Sequence, residues 1–96
     1  MTYNEITEKI FNEIKSYFNG ALMVNDYGLK KSYENNNVAF DFDKTVNYFK
    51  SLGYNFMKLQ DAPYPIFLHS YDKGYENFFI VIDPNSKIDP YNINAV

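Results

Sequence analysis

The sequence predicts an α+β domain spanning residues 1–96, with a mainly antiparallel sheet of about five to six strands and two helices packed on one face. Three observations carry this expectation. Apolar residues recur at helical spacing in two segments, near the N-terminus and around residues 43–52. Clusters of Asn, Asp and Gly cut the intervening chain into short runs that read as strands. The run Phe78-Phe79-Ile80-Val81-Ile82 is apolar on both of its faces, as befits a strand covered on both sides.

The elements follow in order as α-βββ-α-βββ. Thr2 and Glu5 have capping-box spacing, and Ile6, Ile10, Phe11, Ile14 and Phe18 form one apolar face, so the first helix starts at once and ends at Asn19-Gly20. In ALMVNDYGLKKSYENNNVAFDF, the signals Asn25-Asp26-Tyr27-Gly28 and Asn35-Asn36-Asn37 predict two turns between three short antiparallel strands. A second helix runs from about Asp43 to Leu52 with Val46, Phe49 and Leu52 on its buried face, stopped by Gly53. Tyr54 to Gln60 is the next strand. Asp72-Lys73-Gly74 then predicts the turn of a central hairpin in which Tyr71 faces Tyr75, Phe67 faces Phe79 and Ile66 faces Ile80. The uncovered sheet face of this arrangement calls for a cover or a partner. Two Ile-Asp-Pro steps, beginning at Ile82 and Ile88, predict an extended C-terminal tail over residues 83–96.

Composition narrows the function classes. The chain has no cysteine, which removes disulfides and thiolate zinc sites, and its charged N-terminus is unlike a signal peptide, so the expected location is the cytoplasm. No apolar run approaches the roughly 20 residues that a membrane-spanning helix needs. The net charge of −3 is uneven, because residues 1–60 hold seven acids and seven lysines while residues 61–96 hold five acids and two lysines. Arginine is absent and no lysine cluster exceeds Lys30-Lys31, which argues against direct nucleic-acid binding.

One motif points to chemistry. In Val38-Ala39-Phe40-Asp41-Phe42-Asp43-Lys44-Thr45-Val46, an apolar run precedes D-x-D-x-T. The stretch resembles the first motif of the haloacid-dehalogenase-type phosphotransferases. That resemblance implies Asp41 as nucleophile, Asp43 as acid/base and a magnesium ion beside them. The family carries its motif on a parallel sheet of several β-α units, whereas the 53 residues after Asp43 read mostly as antiparallel strands and a tail. The alternative is that Asp43, or Asp41 if the helix starts earlier, caps the second helix, and the sequence favours the cap.

His69, the only histidine, has no companion that would make it a general base, and the acids lack zinc or calcium spacing, so no catalytic set, metal or cofactor is expected. Ten Tyr and nine Phe exceed what a core of this size takes in. Tyr64, Tyr71, Tyr75 and Tyr91 lie in the acidic third with Asp72, Glu76 and Asp89, and these seven residues form the candidate partner surface. The expected function is a non-enzymatic protein-interaction module that meets a larger partner with a basic groove. A phage or mobile-element inhibitor of a host defence nuclease, of anti-CRISPR or anti-restriction type, fits that description. The alternatives are an immunity or antitoxin protein and a small magnesium-dependent phosphotransferase using Asp41 and Asp43. A homodimer is a further expectation, since exposed strand edges can be buried by self-association.

Overall fold

In a computed structural model of the chain, which describes residues 1–15, 20–72, 74–83 and 94–95, the elements run α1 (Tyr3–Ile14), β1 (Ala21–Asn25), α2 (Asp26–Asn35), α3 (Phe42–Ser51), β2 (Asn55–Lys58), α4 (Tyr64–Asp72), β3 (Phe78–Ile82) and β4 (Asn94–Ala95). A single 3-10 turn, Leu59–Asp61, links β2 to α4. The α+β class is as expected, but the sheet has fewer strands: β2, β3 and β1 form an antiparallel core in that order, and β4 adds two residues parallel to β1. Among the described residues, four helices stand where two were expected.

α1 begins as the sequence predicts. The Thr2 hydroxyl accepts the Glu5 N–H at 3.2 Å, and the Glu5 carboxylate accepts the Thr2 N–H at 2.9 Å. The Thr2 backbone N–H first, and the Thr2 hydroxyl after it, hold the Glu5 carboxyl below its usual pKa by favouring its charged form. Ile6, Ile10 and Phe11 are buried. The expected end at Asn19-Gly20 falls largely outside the described residues, and α1 itself stops at Ile14.

The three strands expected between the first two helices are a single strand and a helix. Asn25 caps α2, its side-chain oxygen accepting the Gly28 N–H at 3.0 Å, so the supposed turn Asn25-Asp26-Tyr27-Gly28 is a first helical turn. Asn37, at φ 63°, takes the left-handed position after α2, where the Val38 N–H reaches back to the Tyr33 carbonyl at 3.2 Å. The side chains of Leu29 and Tyr33, four residues apart, supply the buried face.

α3 starts one residue before Asp43 and is capped by Asp41; it ends at Ser51, and Gly53 beyond it takes the left-handed φ of 84° that the expected stop requires. Phe49 is buried and Val46 half-buried, but Leu52 lies beyond the last turn and is exposed.

The expected hairpin is also corrected. Residues 64–72 form α4 rather than a strand, so Tyr71 does not face Tyr75, and Ile66 and Phe67 do not pair with β3. Gly74 does adopt the left-handed conformation, at φ 81°, but as a helix stop: its N–H bonds the Tyr71 carbonyl and the Tyr75 N–H bonds the Ser70 carbonyl. Pro65 is tolerated because it lies in the first turn, where the backbone N–H has no helical acceptor.

β3 is central, as its two apolar faces predict. Ile80 sits between Met23 of β1 and Met57 of β2. On one face, Leu22, Val24, Phe56, Phe79 and Val81 pack against α1, α2 and α3. On the other, Ala21, Met23, Ile80 and Ile82 pack against Leu59 and Ile66 of the α4 layer. The chain thus supplies its own cover for the second face, and the sheet is the middle of three layers.

Candidate functional site

Asp41-Phe42-Asp43-Lys44-Thr45 does not follow a strand, since Val38 to Phe40 join no ladder. The Asp41 carboxylate accepts the Lys44 N–H at 3.1 Å, the helix-cap role. Thr45 is fully buried and its hydroxyl donates to the Asp41 carbonyl at 2.8 Å. The Tyr3 hydroxyl lies 2.8 Å from the Thr45 hydroxyl, 3.0 Å from the Asp41 carbonyl, and accepts the Asp41 N–H at 2.9 Å. Asp43 is exposed in the first turn of α3. Two of the three residues that define D-x-D-x-T, Asp41 and Thr45, are therefore engaged in joining α3 to α1.

A second polar pair lies beside this one. The hydroxyls of Thr7 and Tyr33, both fully buried, are 2.7 Å apart, and Thr7 donates in turn to the Tyr3 carbonyl at 3.1 Å. Burial pushes the Tyr33 phenol well above its ordinary pKa, because a phenolate there would lose its water.

The candidate partner residues fall at the end of α4 and in the connection to β3. Tyr71 is 52% exposed and Leu68, one turn earlier on the same helix face, is 37% exposed. The Phe67 ring packs against the Tyr71 ring with centroids 5.5 Å apart, steadying it. Asp72 and Glu76 are exposed. Tyr75 differs: it is half-buried, its ring 4.9 Å from that of Phe78, and it belongs to the core under α4. Tyr64 is the first residue of α4 and His69 lies within the same helix, while Asp89 and Tyr91 lie outside the described residues. Leu68 is the patch residue that the strand reading missed, because α4 places it beside Tyr71 where a strand would put it on the opposite side.

Elsewhere, Asp26 pairs with Lys30 at 3.2 Å on the exposed side of α2. With Lys58 and Glu76 these residues line a cleft of about 230 Å³ in which two lysines offset two carboxylates. Among the described residues, no three His, Cys, Asp or Glu side chains are grouped to hold a metal ion. No described helix is long and apolar enough to cross a membrane.

Among the described residues, the architecture is a small three-layer α+β domain, three helices on one sheet face and one on the other. Comparison with known proteins finds no matching family model, no similar curated protein and no similar solved structure.

Proposed function

We propose that the chain is a protein-interaction module that presents the outer face of α4 and the connection after it to a larger partner, through Leu68, Tyr71 and Asp72 on the helix and Glu76 in the connection. The observation that carries this reading is the pairing of Leu68 and Tyr71, two large side chains exposed one turn apart on a helix whose other side is buried against the sheet. A helix face of this kind is a frequent recognition element, and Tyr is enriched among the residues that dominate binding energy. Charge supports the choice of partner. From Leu59 to Glu76 the chain carries Asp61, Asp72 and Glu76 against Lys73 alone, so this layer is acidic while residues 1–58, which hold the three-helix layer, carry seven acids and seven lysines. An apolar centre with an acidic rim suits a basic groove. Nucleases that act in host defence offer such grooves, and inhibition of one by occupation is the specific activity proposed.

The test is affinity capture from host lysate on two baits, the native chain and the double variant Tyr71→Ala/Asp72→Lys. A basic nucleic-acid enzyme retained by the native bait, released by raised salt and lost from the variant bait supports the proposal. The same proteins on both baits, or none on the native bait, overturns it.

A further inference from the structure

We propose that the cleft between α1, α3 and the sheet is a binding site for a small aryl carboxylate, on the opposite side of the sheet from α4 and independent of the partner surface. The cleft has a volume of about 550 Å³, within the range of small-molecule sites. Leu22 and Val81 line it from the sheet, Phe11 from α1 and Phe49 from α3. Each of these four is at most 8% exposed, so they form a close-packed apolar floor, and half-buried Tyr54 with exposed Asn12 and Lys15 supplies most of the open lining.

Its walls favour a flat body. The Phe11 and Phe49 rings meet edge to face at 4.9 Å, and the Tyr54 ring stacks on Phe49 at 6.4 Å with 27° between planes. A planar aromatic ligand can take the same edge and face contacts. The polar groups select the head. Asn12 in the last turn of α1 and Lys15, the residue that follows the helix, line the same cleft and are both exposed, which puts them at its mouth. Lys15 is the single charged residue among the described lining residues, so the cleft is apolar within and cationic at its rim. An anionic head fits there and a cationic one does not.

Two other hollows lack this arrangement. One of about 610 Å³ is formed by Lys30, Glu34 and residues 37–40, where opposing charges and exposed side chains give no enclosed apolar floor. The cleft at Asp26 and Lys58 is smaller, and its charges cancel.

The test uses the full ¹⁵N-labelled chain titrated with 2-naphthoate, and with 2-naphthylmethylammonium as the same body bearing the opposite charge. The expected result is saturable shifts for naphthoate at the α1, β1, α3 and β3 amides around the cleft, with a dissociation constant of roughly 0.1–1 mM. The ammonium compound is expected to bind at least about tenfold more weakly, since it meets Lys15 as a like charge. Lys15→Gln is expected to weaken naphthoate about three- to fivefold, the scale of a partly solvated ion pair. Asn12→Trp, at an exposed position, should fill the mouth and abolish the shifts while leaving thermal unfolding unchanged. The proposal is overturned if naphthoate gives no saturable shifts up to its solubility limit, as in a cleft closed in solution by other parts of the chain. Equal binding of the ammonium compound, or shifts that survive in folded Asn12→Trp, overturns it as well.

Discussion

The Tyr3 hydroxyl at the head of α1 and the Thr45 hydroxyl in the first turns of α3 lie 2.8 Å apart, and both converge on the backbone of Asp41. Two helices separated by 27 residues of chain are thereby joined at their N-terminal ends. Tyr3→Phe keeps the ring, which stacks on Tyr33 at 5.1 Å, but leaves the Asp41 N–H without its acceptor. The expected loss is about 1–2 kcal/mol, the cost of an unpaired part-buried donor, measured by urea unfolding. No change in midpoint would mean that water replaces the phenol.

Asp41 is a cap, and a cap tolerates a neutral oxygen. Asp41→Asn should therefore unfold within a few tenths of a kcal/mol of the native chain, whereas Asp41→Ala should lose about 1 kcal/mol. Asp43→Asn, at an exposed site, should change little. Metal-dependent phosphatase turnover that disappears in a stable Asp41→Asn protein would instead assign the motif to chemistry.

Gly28 separates the helix from the turn that the sequence suggests. It is helical, and a Cβ there would meet only the Asn25 side chain at 3.9 Å, an ordinary contact. Gly28→Ala should stabilise the protein by about 0.5–1 kcal/mol. In a turn requiring positive φ the same substitution destabilises, so the sign of the change decides the matter.

The Tyr33 phenol ties stability to alkaline pH. Its pKa is raised in the folded protein above the unfolded value of about 10, so the folded state binds more protons once the pH passes that value. Its contribution is complete below pH 10 and is lost as pH climbs toward the folded value. Tyr33→Phe should cost about 1 kcal/mol at neutral pH through the lost Thr7 bond and flatten the decline in stability above pH 10. Chemical unfolding at pH 7 and across pH 9–11 checks both parts.

Sequence and structure agree where an element announces itself with two independent signals. α1 has its capping box and its apolar spacing, and β3 has a continuous apolar run too short for a helix. α2 and α4 were hidden because their punctuation is shared. Asn25, Asn37 and Gly74 each do what local chemistry predicts, accepting a backbone N–H or adopting a left-handed φ, yet those acts serve helix ends as readily as strand turns. In residues 64–68 every position is apolar or aromatic, so neither a period of two nor one of 3.6 stands out. The candidate surface was partly legible for a simple reason. Tyr71, Asp72 and Glu76 are near neighbours in the chain, so either reading keeps them together, while adding Leu68 to the patch requires knowing that α4 is a helix.

The pairing order has a consequence for synthesis. β1 and β2 are not paired with each other; each is bonded to β3, which the ribosome makes after both. Until Phe78–Ile82 emerges, the nascent chain holds helices and two strands with no sheet to join, and its apolar faces wait for a late partner. A chain stopped at residue 77 should therefore be protease-sensitive, because the last strand of the antiparallel core is the one on which the other two assemble.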